Sequence, residues 1–250
     1  MRAALVGCLD YMNDLPFFRA YKAQTWESLR IGESEIFRDV ACGVGFDVIE
    51  MGKAFSRARF TGVDKSASLL DIARSRAGDL PNVDFAPGDA GHLPFPDNAF
   101  DGARIDRSLQ HIPDPASAVR EMTRVVRPGG RIVAAEPDWG TFFLHIGDAG
   151  IGERMTAQWR ESFANPFIGR ELGDIFAACG VADVACRAHA LALTRLESAD
   201  VVFDLRRLAE NCVTAGVLSA DWRAGAERAS EKGAFLACLT IIERWGTVPA

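Results

Sequence analysis

Residues 39–48 read DVACGVGFDV. An acid opens the stretch, and small residues with two glycines separate two apolar runs. Glycine lets a backbone approach a ligand or a neighbouring strand without a Cβ in the way. Placed between a strand and a helix, such a turn also gains the free N–H groups of the helix N-terminus. Three readings compete. A dinucleotide fingerprint, G-x-G-x-x-G, needs a glycine three residues after Gly45, and that position is Val48. A phosphate-binding loop needs Gly-Lys-Ser/Thr after the turn, where Phe46, Asp47 and Val48 stand. A plain strand-to-helix turn is the third, and residues farther along the chain decide against it.

From Ile36 onward, short apolar runs alternate with amphipathic stretches, the pattern of a parallel sheet covered by helices. Strands are predicted over Ile36–Ala41, Arg59–Val63, Val83–Ala86, Phe100–Ile105 and Arg131–Ala135. Asp114 and Pro115 mark a helix start, Val119, Met122, Val125 and Val126 recur at helical spacing, and Pro128-Gly129-Gly130 ends the run. Ser66 to Ala77 repeats the design and stops at Gly78. After Ala135 a long irregular stretch precedes the helix ELGDIFAACG and the strand VADVACRAHALALT. Two further helices then lead to a last strand in AFLACLTIIERW. The expected fold is α/β: a Rossmann-like, seven-stranded, mostly parallel sheet with helices on both faces and a helical cap over the carboxyl edge. An N-terminal helical lid is expected over 1–34, with Phe18, Tyr21, Thr25 and Leu29 at helical spacing. The main domain covers 35–250, with cap insertions at about 139–168 and 197–232.

Spacing then singles out the turn. Asp64 ends the second strand about twenty residues on, where a carboxylate can accept both ribose hydroxyls of a nucleoside lying over the sheet. PGDA ends the third strand and puts Asp89 and Ala90 beside the edge of a base. Three successive strand ends thus carry three complementary groups.

Together with LPFPDNAFD and REMTRVVRPGGRIVAAEPD, this set resembles the class I S-adenosylmethionine-dependent methyltransferases, most of all the small-molecule group that includes the quinone-biosynthesis enzymes (methyltransferase type 11). The resemblance covers about Ile36 to Asp138. It implies S-adenosyl-L-methionine as cofactor. Ala41, Gly43 and Gly45 would pass under its methionine part, with Ala41 in place of the glycine usual there. Asp64 would hold the ribose, Lys65 would flank the adenine, Asp89 and Ala90 would read the adenine edge, and Asp106 and Arg107 would lie near the methionine moiety. DRSL after the fourth strand lacks the [DNS]PP[YFW] run of enzymes that methylate amines of bases or glutamine.

Methyl transfer from a sulfonium needs positioning and exclusion of water more than a catalytic set. For a hydroxyl or activated carbon a general base helps, and histidine titrates near neutral pH. His111 follows the fourth strand and is the candidate base, with a capping or surface role as its alternative. Tyr21, Glu136, Trp139 and His145 are candidates to line the acceptor site, with helix packing as the alternative for Tyr21 and a core position in the insertion as the alternative for Trp139. The expected function is methyl transfer to oxygen or carbon of a small molecule, in natural-product biosynthesis. The alternative is a cofactor-binding relative that catalyses a non-methylating cyclisation or rearrangement.

Lys and Arg number 28 against 34 Asp and Glu, a net charge of −6, without a basic cluster. Nucleic acid is therefore not the expected partner. The six cysteines, at 8, 42, 179, 186, 212 and 238, have neither zinc-site spacing nor disulfide density, which suits a cytoplasmic location and no metal. The apolar run before Cys8 is too short for a signal-peptide core, and Asp10 closes it. No membrane association is expected, and a homodimer is compatible with the sequence.

Overall fold

A computed structural model describes residues 2–218 and 222–250. Positions 219–221 of the second predicted insertion, and Met1 of the predicted lid, lie outside the described residues. Seven strands, β1 (Ile36–Val40), β2 (Arg59–Asp64), β3 (Val83–Pro87), β4 (Phe100–Asp106), β5 (Val126–His145), β6 (Ala182–Leu193) and β7 (Leu236–Thr247), form one sheet in the order β3-β2-β1-β4-β5-β7-β6. The first five run parallel, and β7 lies antiparallel to both β5 and β6. This is the expected mostly parallel α/β sheet.

Helices α3 (Phe46–Ala54) and α4 (Ala67–Ala77) pack with β2 and β3, burying Val48, Ile49, Met51, Leu70 and Ala73 against Phe60 and Phe85. On a second core, α5 (Pro115–Val125) and α7 (Ile168–Ala178) bury Val119, Met122, Leu172 and Phe176. Asp114 caps α5 by accepting the Ser117 N–H at 3.1 Å, with Pro115 in the first turn where its missing donor costs nothing.

The prediction for β5 needs correction. It extends from Val126 to His145 rather than from Arg131 to Ala135, because Val126 pairs with Phe100 of β4, so that the preceding helix ends at Val125 instead of including Val126, and because β7 pairs with β5 through Asp138 and again over Phe143–His145. Phe142 and Leu144 face inward there, while Phe143 and His145 are exposed, the alternation that a two-residue period dictates. The chain therefore leaves the sheet later than position 139.

A third core lies beyond the carboxyl edge. It joins α1 (Arg2–Asp14) and α2 (Pro16–Leu29) to α6 (Ala149–Arg160), α8 (Leu196–Phe203), α9 (Leu205–Thr214) and α10 (Trp222–Glu231), all around the upper part of β5 to β7. Met12, Phe18, Trp139, Phe142, Met155, Trp159, Phe203 and Leu239 meet in it. Among the described residues, no helix is long and apolar enough to cross a membrane.

Candidate functional site

The turn after β1 is built from left-handed residues: φ is +56° at Ala41, +56° at Gly43 and +79° at Gly45. The two glycines serve different ends. A Cβ at Gly45 would come within 2.8 Å of Ala73 and Phe85, so its absence lets α3 pack close to α4 and β3. A Cβ at Gly43 would meet nothing within 4 Å, so this glycine faces open space at the sheet edge. Ala41 holds a conformation that costs an L-residue about 1–2 kcal/mol.

Asp64, nearly buried, accepts the Gly43 N–H at 2.9 Å on Oδ2 and the Ser66 N–H at 2.8 Å on Oδ1. It ties the end of β2 to the turn, and each oxygen keeps one further acceptor position. Lys65 is exposed beside it, Asp89 is exposed with Oδ1 taking the Gly91 N–H at 2.8 Å, and Ala90 is half-buried. Since β3, β2, β1 and β4 are neighbours in that order, these groups and Asp106 stand side by side along one edge.

Next to the turn lies a buried ion cluster. Arg104, fully buried on β4, pairs with Asp39 at 2.8 Å, Asp47 at 3.4 Å and Asp106 at 3.2 Å, and its Nε donates to Thr25 Oγ1 at 2.8 Å. From α2, Lys22 donates to Asp47 and lies 3.6 Å from Asp106. Tyr21 donates its hydroxyl to Asp106 at 3.0 Å. Arg107, at φ +49°, reaches Asp106 at 3.7 Å and lies over the Phe18 ring. Burial pushes Asp39 up to about 7 against the pull of Arg104. Burial acts the same way on Asp47, but Arg104 and Lys22 outweigh it and hold Asp47 at about 2. The Tyr21 phenol is driven well above its usual range by burial, so it acts only as a donor.

Three atoms of this cluster are buried without a hydrogen-bond partner: Asp47 Oδ1, Arg104 Nη2 and Arg107 Nε. The two nitrogens lie within ion-pair range of Asp106 but do not aim a hydrogen at it. One orphaned acceptor and two orphaned donors fit the ammonium and carboxylate of an amino-acid end, placed next to Gly43. The residues present therefore suit S-adenosylmethionine, with Asp64 and Asp89 at the nucleoside side. Among the described residues, no group of three or more His, Cys, Asp or Glu is placed to hold a metal ion.

The loop after β4 is gripped from two directions. Fully buried Glu136 accepts the backbone N–H of Ser108 at 2.7 Å, Leu109 at 2.8 Å and Gln110 at 3.4 Å. Asn165 Nδ2 donates to the carbonyls of Leu109 at 2.9 Å and Ile112 at 2.6 Å. Burial raises Glu136 to about 8 despite those three donors. His111 ends the short 3-10 turn Leu109–His111, exposed but with its ring tilted onto Phe163 at 5.5 Å. Burial, then the Lys65 charge, lowers its pKa.

Of the four predicted acceptor-lining residues, the structure brings Tyr21 and Trp139 into one core and leaves His145 exposed away from it. Glu136 offers no free carboxylate, because its oxygens are spent on the loop backbone. His145 stands exposed at the far end of β5, carried away by the unexpected length of that strand. Tyr21 is turned toward Asp106 rather than toward a pocket. Trp139 belongs to the aromatic core of the cap, stacked on Phe163 at 4.6 Å and donating Nε1 to Gln110 Oε1 at 2.7 Å. Asp138 is likewise engaged, by Arg170 at 2.6 Å and 2.9 Å. Sequence reasoning missed Lys22, Asp47, Phe163 and Asn165. Lys22 adjoins the recognised stripe of α2, and Asp47 lies inside the quoted turn, where its mismatch with other motifs hid its own charge.

Comparison with known proteins bears on the family and the fold. Residues 38–134 match the model of a methyltransferase domain family. An uncharacterized 37.1 kDa transposon protein of Streptomyces fradiae is 35% identical over 217 residues, which are 86% of this chain and 63% of that protein. A demethylmenaquinone methyltransferase of Staphylococcus epidermidis is 33% identical over 139 residues, 54% of this chain and 58% of that one. The chain thus spans about six tenths of the length of these curated relatives. Among solved structures, the YcgJ protein of Bacillus subtilis shares the fold at a TM-score of 0.69 and 18% identity, covering 93% of this chain and 99% of that one.

Proposed function

We propose that the chain, whose residues 38–134 match a methyltransferase domain family, transfers a methyl group from S-adenosylmethionine to oxygen or carbon of a small molecule, in a biosynthetic pathway. The observation that carries the reading is the sheet edge itself. The open face of Gly43, the Asp64 carboxylate and the three orphaned atoms of the ion cluster offer complementary groups to each part of one nucleoside–amino-acid ligand.

Such a cofactor supplies the electrophile, a methyl on positive sulfur. This chain's residues bind and orient. Asp64 would take the ribose hydroxyls, with Lys65 flanking the adenine and Asp89 and Ala90 reading its edge. Asp47 Oδ1 would accept from the ammonium, and Arg104 Nη2 and Arg107 Nε would donate to the carboxylate. Trp139, Trp159, Phe163 and Phe203 pack together in the cap, which on this reading keeps water from the reacting end. His111 would accept the acceptor's proton on a ring nitrogen. The N-terminal lid of 1–34, a cytoplasmic location and a homodimeric state go with this proposal; fractionation and light scattering check the last two.

Calorimetry with S-adenosylmethionine tests the first half. No binding by the folded protein refutes it. For the second half, candidate acceptors are incubated with methyl-labelled cofactor. Label in the acceptor, with S-adenosylhomocysteine in equal amount, supports transfer, whereas turnover without the homocysteine product favours the non-methylating alternative.

A further inference from the structure

The cluster holds three carboxylates, Asp39, Asp47 and Asp106, and three cations, Lys22, Arg104 and Arg107. Its formal charge is zero before any ligand arrives. Two of the cations come from β4 and the residue after it, and are fixed parts of the sheet edge. Lys22 alone comes from α2, a helix outside the sheet.

The way α2 is docked is unusual for a buried helix. Its ends are anchored by Phe18 and Leu29, but the residues between them meet charged groups. Tyr21 meets Asp106, Lys22 meets Asp47, Thr25 meets Arg104, and Ser28 donates to Glu243 at 2.6 Å. This polar seam adds specific pairing to the apolar anchors, Phe18, Tyr21 and Leu29, that also hold α2.

The proposed ligand brings an ammonium to the acids of this cluster, beside a carboxylate for its two arginines. Acids kept for such a ligand are expensive to leave unpaired in a buried place. We propose that Lys22 is the chain's own counter-ion for these acids: its ammonium, on Asp47 Oδ2 and near Asp106, neutralises them in the free protein and opposes the ammonium that the cofactor's amino-acid end brings to Asp47 Oδ1, so that binding loosens α2. This rests on the cofactor reading above and adds to it a residue that sets affinity by competition.

The opposite role is equally concrete, since a lysine there could hold the ligand's carboxylate. The two roles predict opposite signs. Calorimetry compares S-adenosylhomocysteine with 5′-methylthioadenosine, which lacks the amino-acid end, on the wild-type chain and on Lys22→Met. Competition predicts that the variant binds S-adenosylhomocysteine tighter, by roughly tenfold for one such charge–charge contact, and 5′-methylthioadenosine unchanged. Weaker or equal binding of S-adenosylhomocysteine by the variant overturns the proposal. Should the variant not fold, amide exchange on the wild-type chain decides. Exchange across residues 16–29 should rise when S-adenosylhomocysteine is added, and a fall or no change overturns the proposal. If neither nucleoside binds the wild-type chain, the cofactor reading fails and this inference goes with it. If 5′-methylthioadenosine binds while the Lys22 results have the wrong sign, only the inference fails.

Discussion

Replacing Arg104 by methionine removes the cation that touches all three carboxylates of the buried cluster, and leaves Lys22 and Arg107 to face three acids. Methionine is close to arginine in length and apolar, so the change is chiefly one of charge. Breaking a buried pair by deleting one partner costs about 3–5 kcal/mol. At about 2–4 °C per kcal/mol for a chain of this size, Tm should fall by roughly 6–20 °C. The loss should also depend on pH. Burial already raises the folded-state pKa of Asp39 to about 7 with Arg104 opposing it, well above the ordinary carboxylate range. A carboxyl raised on folding contributes stability that is present at low pH and lost as pH climbs through that value. Without Arg104 the pKa moves higher still, so the loss continues over a wider range. The gap between wild type and Arg104→Met should therefore widen from pH 5.5 to pH 8. Urea unfolding followed by circular dichroism at both pH values reads the two numbers. A variant within about 1 kcal/mol of wild type at both would fall short of the cost of a stranded buried charge. That result, or a gap that narrows with rising pH, would refute the account of the cluster.

Three other predictions concern the edge and the loop. Asp64→Ala should weaken S-adenosylmethionine binding by about 1–3 kcal/mol, the cost of leaving hydrogen bonds to a charged acceptor unmade, and calorimetry on the variant showing wild-type affinity would contradict the ribose assignment. Gly43→Ala and Gly45→Ala should separate binding from folding: the first loses only about 1–2 kcal/mol to its left-handed backbone but loses cofactor affinity, while the second loses more stability, because its Cβ would also lie 2.8 Å from Phe85 and Ala73. Thermal melts with and without ligand distinguish them. Glu136, raised to about 8 by burial, should make wild-type stability decline as pH rises from its ordinary range toward 8, at up to about 1.4 kcal/mol per pH unit. Glu136→Gln should flatten that decline in unfolding measured across pH 5 to 8, and an unchanged slope counts against a protonated Glu136.

Much of the sheet was legible because β1 to β4 are short apolar runs punctuated by glycine, proline and caps, all local signals. Their ends fall within a residue of the predicted ones. The length of β5 was not legible, since its upper half is held by pairing with β7 about a hundred positions away, and Pro137 and Gly140 hide the alternation. That one error displaced His145. Glu136 was misread for a related reason: an acid at a strand end looks available until the backbone N–H groups of residues 108–110 are seen to converge on it. The spacing of Tyr21 and Thr25 showed the inner face of α2, but not the charges opposite. The ion cluster draws on α2, β1, α3 and β4, and no local pattern reports such a meeting.

The cap core has a consequence for how the chain is made. Its first contributors, Met12, Phe18 and Tyr21, are synthesised long before Leu239 and Ile241, which complete the same core. At typical elongation rates of about 5–20 residues per second, the N-terminal helices wait roughly 10–40 s for those partners. The sheet up to β5 can assemble in the meantime, but α1 and α2 emerge from the ribosome with their apolar sides uncovered. The nascent chain should therefore be a client for chaperones over its first thirty residues, and release from them should coincide with the arrival of β7.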